Sequence, residues 1–139
     1  MMTPAVLSSR RLLLGLFWAY GLFLTTATHA PADAVGRLLL LPRFGEIQAD
    51  KMNHLVAYAV LALLGVAAFT DSRSFSGRGP LLVFFGLVGW AFLDEITQPL
   101  FGRNADITDW IYDVLGLACG CVVGWLCLRI VSSRLSVSR

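Results

Sequence analysis

The sequence predicts an all-α integral membrane protein, a bundle of four transmembrane helices with both termini inside the cell. Hydrophobic residues make up 57% of its 139 residues and charged residues 14%, whereas soluble domains carry about 25% charged residues and under half apolar ones. Four apolar runs, separated by polar breaks, each approach the roughly 20 residues that a helix needs to cross a bilayer. The length suits one domain, so we predict a single membrane domain over residues 1–139.

The four predicted helices cover approximately residues 12–28, 54–70, 81–98 and 107–131. The first follows Arg10 and Arg11 and ends in small residues, a pattern that also resembles a cleavable signal peptide, and both interpretations stay open. A short apolar stretch at residues 38–41 is predicted to lie on the outer membrane surface. Residues 132–139 are predicted to form a flexible cytoplasmic tail.

Basic residues decide the orientation, because every connecting loop is short. Four crossings place both termini on one side. With both termini inside, seven basic residues lie on the inner side and four on the outer side. The inner set is Arg10, Arg11, Arg73, Arg78, Arg129, Arg134 and Arg139, and the outer set is Arg37, Arg43, Lys51 and Arg103. The sequence therefore predicts an N-in and C-in protein.

Three of the four helices carry polar side chains at the same, outer end. These residues are Asp50, Lys51, His54, Asp94, Glu95, Gln98, Arg103, Asp106, Asp109 and Asp113. The uncharged part of the third segment has about 15 residues, roughly 22 Å of helix, which is shorter than the ~30 Å hydrocarbon core. We therefore expect Asp94 and Glu95 near the outer interface, where charged groups face protein or water and pair with one another.

The acidic residues of the fourth helix follow helical spacing. Asp106, Asp109 and Asp113 are three and four positions apart, so they share one face of a helix. Two further turns along this stripe lie Gly116 and Gly120, and small residues permit close helix contact in membranes. The acidic face of this helix is predicted to face the bundle.

The polar residues suggest chemistry by type. Arg and Lys suit phosphate or carboxylate groups, and a histidine beside carboxylates suits general base catalysis. Carboxylates also suit divalent cations, but no EF-hand-type spacing is present, so no metal or cofactor is predicted. The predicted ligand-binding residues are Lys51, His54, Glu95, Gln98, Arg103, Asp109 and Asp113, and the catalytic candidates are His54, Asp94 and Glu95. The alternative is a purely structural network, in which Asp94 pairs with Arg103 and Asp106 or Thr108 caps the fourth helix.

The order of three motifs resembles a known family. The motifs are Asp50-Lys51-x-x-His54 with Tyr58, Asp94-Glu95-x-x-Gln98, and Gly102-Arg103 followed by Asp109, Asp113 and Gly116. Together they cover roughly residues 50–124 and resemble the VanZ-like family of bacterial membrane proteins. Many members of that family carry Asn where this chain has Asp113, and an Asn donates and accepts hydrogen bonds whereas an ionised Asp only accepts them. The resemblance implies the bacterial cytoplasmic (inner) membrane and a link to glycopeptide, chiefly teicoplanin, resistance.

Three hypotheses of function follow. The first is a multi-pass envelope protein that binds an anionic lipid or a cell-wall precursor headgroup at the outer face. The second is a membrane enzyme that acts on an envelope lipid by carboxylate or histidine acid-base chemistry, and the third is a cluster that only holds the bundle together. The expected partners are membrane lipids, with homo-oligomerisation left open. Nucleic acid is excluded as a partner, because the net charge is only +2 and the basic residues are scattered.

Overall fold

A computed structural model describes residues 4–30, 46–70 and 78–137 of the chain. These described residues form four α-helices and one 3-10 helix, with no strand among them. All four α-helices are long and apolar enough to cross a membrane. The predicted class, an all-α bundle of four membrane helices, is therefore confirmed. The surface stretch predicted at residues 38–41 lies outside the described residues.

The helices are α1 (Pro4–His29), α2 (Glu46–Phe69), α3 (Arg78–Thr97) and α4 (Ile107–Val137), with the 3-10 helix at Gln98–Phe101 between α3 and α4. Most extend beyond the predicted segments, because an apolar run marks only the part of a helix inside hydrocarbon. The largest difference is at the C-terminus, where a flexible tail was predicted for residues 132–139 and the structure continues α4 to Val137. The hydroxyls of Ser132 and Ser133 donate to the carbonyls of Leu128 and Ile130, so these polar residues bond within the helix.

The helices alternate in direction. The end of α1 contacts the end of α3 through His29 and Thr97, and the start of α2 contacts the start of α4 through His54 and Asp113. These four helix ends form one end of the bundle, which we call the polar end. The start of α1 and the end of α4 consequently lie at the opposite end.

The α2 helix is central, since it packs against each of the other three, and its interface with α4 is the most extensive. At this interface Gly116 and Gly120 lie directly against the α2 backbone. A Cβ atom on either residue would overlap a backbone carbonyl oxygen, that of Leu55 for Gly116 and that of Ala59 for Gly120. The predicted small-residue stripe is thus the contact surface, and α4 presents Asp113 to the bundle as the same stripe indicated.

The outer surface is apolar, as expected for a protein surrounded by lipid. Large side chains such as Leu22, Leu82 and Phe85 are more than half exposed, and a soluble monomer rarely exposes so much contiguous apolar area. α1 packs against α2 and α3 packs against α4, whereas α1 and α3 form no extensive interface with each other. A groove of about 830 Å³ lies between α1 and α3 near the polar end, and His29 and Thr97 are among its lining residues.

Candidate functional site at the polar end

A buried histidine and carboxylate join α2 to α4. His54 Nδ1 lies 2.9 Å from Asp113 Oδ1, with His54 8% and Asp113 1% exposed. When Asp113 is ionised and His54 is neutral, Asp113 accepts this hydrogen bond from Nδ1–H, and Nε2 holds the free lone pair. The close approach at Gly116, one turn from Asp113, allows the two side chains to meet.

A second buried carboxylate lies between α3, α2 and α1. The Tyr58 hydroxyl, on a fully buried side chain, donates to Asp94 Oδ2 at 3.0 Å. On the other side, His29 Nδ1 is 3.6 Å from Asp94 Oδ1 and 2.8 Å from the Thr25 carbonyl. His29 Nε2 is 2.9 Å from the Thr97 hydroxyl. Asp94 therefore contacts a tyrosine and a histidine, and does not pair with Arg103 as the structural alternative supposed.

Lys51 is held by the first turn of α4. Its ammonium group donates to the Thr108 hydroxyl and to Asp109 Oδ1, the latter at 3.1 Å, and it lies 3.6 Å from Asp106 Oδ2. Asp106 is the N-cap of α4, because its Oδ1 accepts the Thr108 amide at 2.8 Å. Hydrogen bonds from the Thr108 amide, and then from its hydroxyl, hold the pKa of Asp106 below its usual value. The positive charge of Lys51 is thus already compensated.

Glu95 and Gln98 position the connection between α3 and α4. The Gln98 amide donates to Glu95 Oε2 at 3.0 Å, and the backbone N–H of Asp106 donates to Glu95 Oε1. Gly102 ends the 3-10 helix with φ of 77°, a left-handed conformation that glycine adopts without steric cost. Arg103 follows this turn directly, so the buried Glu95 and Gln98 fix the segment that carries the guanidinium group.

A pocket of about 290 Å³ opens between α1 and α2 at this end. We call it the His54 pocket. Its polar lining is Asp50, Asn53, His54, Arg103 and Thr28, and its largely apolar lining is Tyr20, Phe23, Leu24, Ala27, Val56 and Ala57. Arg103 Nη1 donates to the Ala30 carbonyl at 3.2 Å, which holds the guanidinium against the end of α1. The pocket therefore combines a guanidinium group, a histidine, a carboxylate and several apolar side chains.

The predicted residues fall into distinct places within the polar end. His54 and Arg103 line the pocket, and Asp113 lies behind His54. Lys51 pairs with Asp109 at the rim of the α2–α4 interface. Glu95 and Gln98 lie beneath the connection to α4, and Asp94 points toward α1. The structure brings these residues to one end, while their roles as ligand-binding or catalytic groups stay predictions.

The first helix contributes more than the sequence indicated. We expected the polar cluster to come from three helices, yet α1 supplies His29, which bonds to α3, and Tyr20, whose hydroxyl donates to the Ala57 carbonyl at 3.2 Å. The available signal was the position of His29 at the end of an apolar run, on the side where the other polar residues gather.

A divalent cation is one further possibility that the distances allow. One ligand atom each of Asp50, His54 and Asp109 lies within 4.8 Å of the others. Asp109, however, already binds the Lys51 ammonium. A cation there would displace or oppose that ammonium group, so the salt bridge to Lys51 accounts for the Asp109 carboxylate more simply.

The helices and this end of the bundle define a class, namely a small multi-pass membrane protein with a buried His–Asp pair and an arginine that lines a pocket beside it. The model of the VanZ/LLP1 family matches residues 9–130, and the chain belongs to that family. The match reaches beyond the three motifs at residues 50–124 and includes α1. No curated protein and no solved structure matches the chain.

Proposed function

We propose that the protein binds the headgroup of an anionic lipid or of a lipid-linked cell-wall precursor in the His54 pocket. The observation that carries this proposal is that Arg103 and His54 line one pocket together with several apolar side chains. A guanidinium group binds phosphate and carboxylate bidentately, and the apolar side chains suit the first part of a lipid chain.

Arg103 is the cation on which this function rests. The charge of Lys51 is compensated by Asp109 and Asp106, so Lys51 acts by fixing the start of α4 instead of contacting the headgroup. Among the described residues, the Arg103 side chain donates one hydrogen bond, to Ala30, and a guanidinium group has five N–H donors. Its remaining donors supply the anion contacts, while Glu95 and Gln98 hold the segment in place.

The proposed location is the outer face of the bacterial cytoplasmic membrane. The count of seven inner against four outer basic residues supports the N-in, C-in orientation, which places the polar end outside. A reporter fused to the C-terminus tests this: fluorescence of a green fluorescent protein fusion supports the orientation, whereas activity of a periplasmic alkaline phosphatase fusion contradicts it.

The binding test compares Arg103→Gln with Arg78→Gln. Arg78 is exposed at the opposite end, at the start of α3, and serves as the matched control. Native mass spectrometry of protein extracted from vesicles with equal phosphatidylglycerol and phosphatidylcholine should report retained phosphatidylglycerol. Arg103→Gln should lower that retention about tenfold, since hydrogen bonds to charged groups are worth ~1.5–3 kcal/mol. Equal retention in the two variants would reject the proposal, and the same spectra report the oligomeric state.

The family membership also motivates a role in glycopeptide resistance. If the headgroup site serves that role, expression of the protein should raise the teicoplanin concentration that inhibits growth. Arg103→Gln should remove the increase and Arg78→Gln should preserve it, with membrane abundance measured for both. An unchanged inhibitory concentration on expression of the wild type would exclude this role without affecting the binding result.

The second candidate function is catalysis on such a lipid, and the His54–Asp113 pair is the observation that favours it. A carboxylate that orients an imidazole leaves Nε2 to accept a proton from water or a hydroxyl group. In that case His54→Gln would abolish turnover of an envelope lipid, and Asp113→Asn would lower it. Absence of turnover by the wild type across a panel of isoprenoid and phospholipid substrates, with and without divalent metals, would eliminate the enzyme hypothesis.

A further inference from the structure

The groove between α1 and α3 contains buried polar atoms that have no hydrogen-bond partner. Its lining includes Thr25, His29, Trp90, Leu93, Asp94 and Phe101. Within the described part of the chain, Asp94 Oδ1 and Thr25 Oγ1 are both buried and unbonded. The Asp94 side chain is only 2% exposed. A buried polar atom without a partner carries a desolvation cost that a bound group would relieve.

The neighbours of Asp94 leave its Oδ1 atom available. Tyr58 bonds the other carboxylate oxygen, Oδ2. His29 Nδ1 is 3.6 Å from Oδ1, beyond hydrogen-bond distance, and this ring nitrogen lies 2.8 Å from the Thr25 carbonyl instead. No Lys or Arg of the described residues pairs with Asp94. The position beside Oδ1 thus suits a group that both donates a hydrogen bond and carries positive charge.

We propose that this groove is a second lipid site, which binds a lipid with a primary ammonium headgroup through Asp94 Oδ1. The ammonium N–H donates to that oxygen, and the Thr25 hydroxyl accepts a second N–H. The lipid chain lies along the apolar part of the groove, against Trp90 and Leu93. The site involves a different face of α1 from the His54 pocket, so it does not depend on the anionic headgroup site.

The chemistry of the headgroup provides the test. Phosphatidylethanolamine has N–H donors, whereas phosphatidylcholine carries the same charge without them. Wild-type protein extracted from vesicles with equal amounts of these two lipids, with matched chains, should retain about ten times more of the first, as expected for one charge-assisted hydrogen bond. Native mass spectrometry measures the ratio. Equal retention of the two lipids would overturn the proposal.

Three variants identify the groove as the origin of the preference. Asp94→Asn keeps the size of the side chain and an acceptor for Tyr58, and it should reduce the ratio severalfold toward one. Asp106→Asn is the matched control, because it removes a carboxylate from the same end while preserving a good N-cap, and it should leave the ratio unchanged. An undiminished ratio in Asp94→Asn, or an equal reduction in Asp106→Asn, contradicts the site.

Leu93→Trp keeps the proposal testable if Asp94→Asn fails to fold. Leu93 is 59% exposed at the edge of the groove, so a larger side chain there occupies the groove without entering the core. Retention of phosphatidylethanolamine should fall severalfold relative to the wild type. Retention at the wild-type level in this variant would show that the lipid binds elsewhere and would overturn the proposal.

Discussion

The two helix pairs that hold the buried carboxylates differ in how closely they pack. At the α2–α4 interface, glycines bring the backbones into contact, and Asp113 is enclosed and bonded to His54. Between α1 and α3 a groove remains, and Asp94 is buried yet keeps one oxygen without a partner. The same residue type is therefore enclosed by a tight helix contact on one side and borders a groove on the other. The difference lies in the size of the residues at the contact, because small residues remove the space that a ligand would need.

Gly120→Ala should produce the largest effect, because its Cβ would overlap the Ala59 carbonyl and the Ala62 side chain. Forcing this close interface apart should lower the free energy of unfolding by about 3 kcal/mol, at the upper end of overpacking costs. Thermal unfolding in detergent, followed by tryptophan fluorescence, measures the change. The matched control is Gly86→Ala on α3, which has open space around it and should be neutral or stabilising by up to ~1 kcal/mol. Equal melting temperatures for the two variants would show that the α2–α4 contact is not the tight one.

Asp113→Ala should destabilise the fold more than Asp94→Ala, which compares the two carboxylates directly. Loss of Asp113 leaves the His54 N–H buried without an acceptor and should cost ~1–3 kcal/mol. Loss of Asp94 leaves Tyr58 unpaired, but it also removes an oxygen that has no partner, so the net cost should be smaller. Chemical denaturation of the two variants beside the wild type provides the measurement. A larger loss of stability for Asp94→Ala would contradict this comparison. It would mean that the hydrogen bonds of Asp94, beside the α1–α3 groove, stabilise the fold more than those of Asp113.

Asp106 should give the smallest effect, a pH-dependent one at the rim of the α2–α4 interface. Because the pKa of Asp106 is lowered in the folded protein, its contribution to stability is present above its unfolded pKa of ~4 and is lost as the pH falls below it. The difference in melting temperature between the wild type and Asp106→Ala should be a few degrees at pH 7 and should shrink toward pH 3. If the difference in melting temperature stays constant from pH 7 to pH 3, the charge of the Asp106 carboxylate does not cause it.

The sequence predicted the fold and one part of the polar end because both depend on residue patterns within a single helix. Apolar runs indicate the four membrane crossings, since a helix in lipid forms its backbone hydrogen bonds within itself. The spacing of Asp113 with Gly116 and Gly120 predicted which face of α4 turns inward, because helical periodicity alone determines that face. The family resemblance, carried by motifs from α2 to the start of α4, was likewise confirmed.

The pairing between helices could not be predicted in the same way. Lys51 suited phosphate as an isolated residue, but the fold places it beside Asp106 and Asp109, which neutralise it. His29 lies at the end of an apolar run in the sequence, and only the packing of α1 beside α3 brings it to Thr97. Such contacts depend on the rotation and tilt of whole helices, which the side chains of neighbouring helices determine.

Site-specific crosslinking tests the central claim, that the His54 pocket holds an anionic headgroup, most directly. A photoreactive amino acid replaces Val56, which lines the pocket, or Val123, which faces outward on α4, and the two are similarly exposed at 54% and 49%. With radiolabelled phosphatidylglycerol in the membrane, position 56 should label severalfold more strongly than position 123, and Arg103→Gln should bring the two to the same level. Equal labelling of both positions in the wild type would contradict the account.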